Sequence, residues 1–91
     1  MAFRDIAPQA PVHVLVVPRR HIAHAGALSD EDAEDLSALF AAARAVAADE
    51  GIDGAERGYR LVMNVGVEAQ NSVPHLHLHV IGGRSMTWPP G

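Results

Sequence analysis

The chain has 91 residues, 48% of them apolar, a net charge of −4 and no Cys. This length suits one domain, residues 1–91, and the lack of Cys excludes disulfides, Cys-ligated zinc or iron–sulfur centres and a thiolate nucleophile. No run of Lys or Arg supplies the positive patch that nucleic-acid backbones require, and no apolar run approaches the about 20 residues of a membrane span. Neither nucleic acid nor a membrane is therefore an expected partner. The opening MAFRDIAPQAP lacks the order of a secretory signal, so a cytoplasmic location is expected. Four aromatic residues, Phe3, Phe40, Tyr59 and Trp88, make a thin core for a free-standing domain and favour help from a second subunit.

In chain order, Met1–Ile6 reads as a strand entered midway. Val12-His13-Val14-Leu15-Val16-Val17 is rich in β-branched residues and closes at Pro18, which cannot extend a central ladder. Arg19, Arg20 and His21 then mark an exit to the surface, with the arginine pair read as a solvated turn and His21 and His24 as surface residues outside any site. Ser29 followed by Asp30, Glu31 and Asp32 nearly forms a capping box and puts acid at a helix N-terminus. The helix is expected to start there, to present Ala33, Leu36, Phe40, Ala43 and Ala47 as one apolar stripe, and to stop at Gly51.

Beyond a polar, glycine-punctuated loop, Tyr59–Val65 returns to strand character and ends at Gly66. After a second loop, Val67–Ser72, the segment His75-Leu76-His77-Leu78-His79-Val80-Ile81 alternates strictly between Pro74 and Gly82-Gly83. Strand, strand, helix, strand, strand favours an antiparallel α+β fold over a parallel doubly wound one.

Alternation places His75, His77 and His79 on one face of a strand and Leu76, Leu78 and Val80 on the other. Half of the six His of the chain lie in these five residues, a density that favours function over an incidental surface. Three readings follow. The imidazoles act on a substrate as nucleophile and acid–base groups; they ligate zinc, at about 2.0–2.1 Å per nitrogen; or they bind a nucleotide without catalysis. The metal reading ranks last, because no carboxylate is evident to orient the ligands.

Pro74-His75-Leu76-His77-Leu78-His79-Val80-Ile81 fits the His-φ-His-φ-His-φ-φ signature, φ being apolar, of the histidine triad (HIT) superfamily. Phe3 to Pro11, His13 to Pro18, Tyr59 to Asn64, and Gly82-Gly83-Arg84 through Trp88-Pro89-Pro90-Gly91 match in the same order. Together they resemble the histidine triad nucleotide-binding, or Hint, branch over essentially the whole chain. The uridylyltransferase relatives carry Gln where this chain has His79, which favours hydrolysis over transfer.

The resemblance implies a homodimeric purine nucleoside phosphoramidase. Such an enzyme cleaves the P–N bond of adenosine 5′-phosphoramidates, and related acyl adenylates, to AMP without a cofactor. It makes His77 the nucleophile, oriented by a backbone carbonyl, and His79 and His13 donors to the phosphoryl oxygens. His75 supports the network, and Ser72 lies near the leaving nitrogen. It sets Asp5 at the ribose hydroxyls, Asn64 beside ribose and phosphate, Phe3 and Ile6 at the base, and Trp88 at the partner subunit's site. It also implies that the helix and hairpin, and in some bacterial members a zinc-binding Cys-x-x-Cys pair, which the family places before the position of Met1, are missing from this chain.

Overall fold

The computed structural model describes all residues from Met1 to Gly91. Four strands form one sheet: β1 (Ala2–Arg4), β2 (Val12–Val16), β3 (Tyr59–Val62) and β4 (Leu78–Gly82), in the order β1-β2-β4-β3. Every neighbouring pair is antiparallel. A single long helix, α1 (Ala33–Asp49), covers one face of the sheet. The architecture is the expected antiparallel α+β fold.

The apolar positions of the two inner strands make the core. Val12, Val14 and Val16 of β2 and Leu78 and Val80 of β4 are buried with Leu39, Ala43 and Ala47 of α1 and with Ile22, Ile52 and Leu76 from the connections. The small side chains of Ala43 and Ala47, both fully buried, let the helix backbone approach the sheet closely, where dispersion contacts are densest. The expected stripe is thus displaced: Ala33 is exposed, Leu36 and Phe40 are half-buried, and Leu39, outside the expected set, is buried. In an alanine-rich helix the apolar residues spread round most of the surface, so periodicity alone leaves the buried face weakly specified.

The helix entry also differs from the expectation. Asp30–Asp32 form a 3₁₀ turn and regular α-helix begins at Ala33. The capping box is present, with the Ser29 N–H donating to Oδ2 of Asp32 at 2.9 Å. Asp32 is only 3% exposed, and a buried carboxylate needs compensation. Arg20 supplies it by donating to Oδ1 of Asp32, with Asp35 3.8 Å away. Arg20 is therefore an ion-pair partner and not the solvated turn residue expected.

Both later strands are shorter than the alternation implied. β4 starts at Leu78 instead of His75, and β3 ends at Val62 instead of Val65. The ladder runs out of partners: Leu78 pairs with Val16, the last residue of β2, while the Val17 N–H is given to the Met1 carbonyl and Pro18 has none to give. The chain from His75 to His77 nevertheless keeps the alternation, with Leu76 3% exposed and its N–H donated to the Ile22 carbonyl. A hydrophobic period thus extends beyond the hydrogen-bonded ladder.

Candidate active site

β2 and β4 lie side by side at the centre of the sheet, and the face opposite α1 carries the histidines. In the register, Leu15 opposes His79 and His13 opposes Ile81, so His13 and His79 are diagonal neighbours within side-chain reach. Their rings meet: His13 Nε2 lies 2.8 Å from His79 Nδ1, with centroids 5.1 Å apart. The His77 ring sits edge-on to His79 at 5.0 Å.

The proton positions follow from these partners. The Gln9 N–H donates to His13 Nδ1 at 3.0 Å, so in the neutral ring the proton of His13 is on Nε2. That proton is shared toward Nδ1 of His79, which puts the His79 proton on Nε2, a buried atom with no hydrogen-bond partner in the protein. His77 is set by its own segment, just before β4: its Nδ1 lies 2.9 Å from the His75 carbonyl, to which it must donate. The lone pair of the neutral ring is then on Nε2, the nitrogen a nucleophile needs.

His13 is 5% exposed and behind the others. Burial lowers the His79 pKa below the ordinary imidazole value of 6.5, the nearby His77 and His13 rings lower it further, and Asp5 opposes them. His79 is accordingly a neutral donor at pH 7.

Asp5 stands where β1 leaves β2. Its N–H donates to the His13 carbonyl at 2.9 Å, its Oδ1 accepts the Ala7 N–H at 2.7 Å, and its Oδ2 lies 3.5 Å from His13 Nε2. A carboxylate thus does reach the histidine cluster, contrary to the sequence expectation, and Asp5, His13 and His79 could together face a metal ion. The 2.8 Å between His13 Nε2 and His79 Nδ1 nevertheless suits a shared proton. Two nitrogens on one tetrahedral zinc at about 2.0–2.1 Å each would stand about 3.3 Å apart.

Phe3, Asp5, Ile6, Asn64, Ser72, His75, His77 and His79 all line one cavity of about 620 Å³, within the range of small-ligand sites. Leu15, Val17, Gln70 and Val73 complete it. Leu15 and Val17 were legible, since they share a strand face with His13 at spacing two. Gln70, held at φ 61° in the loop before Ser72, had no sequence signal. Trp88 does not line this cavity; it is 82% exposed, with the Arg60 guanidinium 6.0 Å from its ring centroid.

Of the two histidines set aside on sequence grounds, His21 lies at the surface as expected and His24 does not. His21 is exposed, but its ring stacks on His75 at 5.2 Å, with 3.1 Å between the Nδ1 atoms. His24 is half-buried, its Nδ1 wholly so and without a protein partner. The His21 contact has no local signature, because its partner is 54 residues away.

The sequence pattern that defines the HIT domain matches residues 1–86. This chain belongs to the HIT family. An uncharacterized HIT-like protein of Synechococcus elongatus is 47% identical over 91 residues, all of this chain and 77% of the relative. A second, from Synechocystis sp., has the same identity and coverage. Among solved structures, a HIT family hydrolase from Legionella pneumophila superposes with a TM-score of 0.92 at 50% identity, over 99% of this chain and 79% of that one. A histidine triad nucleotide-binding protein from Candida albicans superposes with a TM-score of 0.76 at 27% identity, over 99% and 68%. The HIT chain thus has the fold of a HIT family hydrolase, and the relatives named here are longer than it is. No helix of it is long and apolar enough to cross a membrane.

Proposed function

We propose that the protein is a purine nucleoside phosphoramidase that hydrolyses adenosine 5′-phosphoramidates and related acyl adenylates to AMP. The observation that carries this reading is the 2.9 Å contact from His77 Nδ1 to the His75 carbonyl, which leaves the lone pair of a neutral imidazole on Nε2 beside a nucleotide-sized cavity. Nε2 attacks the α-phosphorus, the P–N bond to the amine breaks, and a proton delivered through the Ser72 hydroxyl leaves with the amine. Water then attacks phosphorus, the P–Nε2 bond of the nucleotidyl-histidine breaks, and AMP departs with the His77 ring restored.

In this reading His79 Nε2–H donates to a phosphoryl oxygen as negative charge builds there. His13 acts through His79 by holding its tautomer, and His75 supplies the carbonyl that orients His77. Asp5 and Asn64 take the ribose, and Phe3 and Ile6, exposed at the cavity wall, receive the base. We place Trp88 in the site of a partner subunit, since it is too exposed to serve its own, and take the working unit to be a homodimer.

The test is AMP release from adenosine 5′-phosphoramidate, with His77→Ala beside the parent. The expected result is turnover in the parent and a loss of about 10³-fold or more in the variant. A parent that binds AMP by calorimetry yet releases none from the substrate would replace this reading with nucleotide binding alone.

A further inference from the structure

We propose a second ligand site, for a multiply charged phosphate chain, where β3 begins and β4 ends, remote from His77 and His79. The chain carries a net charge of −4 and only seven basic residues, all Arg. Three of them, Arg57, Arg60 and Arg84, line one cavity of about 390 Å³ together with Tyr59, Ser85 and a single carboxylate, Glu56. This cavity shares no residue with the histidine cavity. Gly82, where β4 ends, is three residues and hence about 10 Å along the strand from His79.

Two features make these arginines more than a solvated surface. The first is that none is neutralised. The ion pairs of the molecule join Arg4 to Glu50 and Arg20 to Asp32 and Asp35, and Glu56 lies beyond ion-pair distance of all three guanidiniums. The second is that two of the three are held in place by neutral acceptors. Arg60 Nη2 donates to the Thr87 carbonyl, and Arg84 donates from Nε to the Gln9 carbonyl at 3.1 Å and from Nη1 to the Ser85 carbonyl at 3.3 Å.

Carbonyls orient a guanidinium and leave its charge intact. Each side chain has five N–H donors, so most of them remain available toward the cavity. A singly charged anion satisfies one such planar fork. Three forks around one space match a ligand with charge and paired oxygens on successive phosphoryl groups. The shared chemistry is a di- or triphosphate chain, whether free or at the end of a nucleotide.

The full chain, first saturated with AMP to fill the histidine cavity, is titrated at constant ionic strength with tripolyphosphate, ATP or inorganic phosphate, and binding is followed by heat and by equilibrium dialysis. The expected result is a saturable response to tripolyphosphate, at least about tenfold weaker for inorganic phosphate and for Arg57→Gln/Arg84→Gln, and unchanged by His77→Ala. Equal affinities for ATP and tripolyphosphate assign recognition to the chain of phosphates, and tighter ATP binding assigns it to a nucleotide.

Circular dichroism confirms that the double variant is folded, and Arg57→Gln alone, at an exposed residue, gives a second reading if it is not. The absence of both heat and retained anion at millimolar tripolyphosphate overturns the proposal. So does a response that survives in the arginine variants, or a heat that depends on protein concentration and ignores anions, which would make the cavity a contact between copies.

Discussion

At the scale of single residues, His79 ties folding to pH. The folded chain holds its pKa below 6.5, while the unfolded chain leaves it near the ordinary value. As pH falls through about 6.5 the unfolded state takes up the proton first, so stability declines until the lower folded pKa is passed; above about 6.5 the contribution is complete. The melting temperature should therefore drop between about pH 7.5 and pH 5, and more steeply in the parent than in His79→Asn. Identical slopes would contradict this account. In the proposed mechanism His13 is a positioning residue, and removing its Nε2 donor in His13→Ala frees the tautomer of His79. Phosphoramidase kcat should fall about 10²-fold with KM little changed, and a fall confined to KM would assign His13 to ground-state binding. These couplings were only half legible in the sequence: alternation names His79 and the family resemblance names His13, but the His13–His79 contact joins positions 66 apart and depends on register.

At the scale of elements, the closest approach lies where β4 ends. A Cβ on Gly82 would stand 2.8 Å from Ile52 Cδ1, 3.1 Å from the Gly58 carbonyl oxygen and 3.3 Å from Tyr59 Cβ. The backbone oxygen cannot move as freely as a side-chain tip, so Gly82→Ala should cost about 1–3 kcal/mol, read as a lower denaturation midpoint at unchanged m-value. At the other end of the core, Asp32 joins the capping box to Arg20, and Asp32→Ala should cost about 1–3 kcal/mol by the same measurement. The cap was readable from Ser29 and the acids after it because capping is a local interaction. Arg20 was not, since nothing in Pro18-Arg19-Arg20 says that a buried carboxylate waits twelve residues on. Strand ends escaped for a related reason: periodicity reports which face is apolar, whereas a ladder stops where its neighbour stops.

At the scale of the whole molecule, eleven buried apolar residues without a buried aromatic form a small core, and both outer strands, β1 and β3, offer unpaired edges. We expect the protein to sediment at twice its chain mass at micromolar concentration, and a monomer under those conditions would contradict the homodimer. The order β1-β2-β4-β3 has one more consequence. The two strands whose register brings His13 to His79 occupy the inner positions, with a neighbour on each side. Anything that adds to the sheet, whether a second copy, a fused segment or a captured peptide, must attach at an outer strand. The sheet can therefore be widened at either margin while the spacing of the His13–His79 pair stays locked, which insulates the candidate site from growth of the assembly around it.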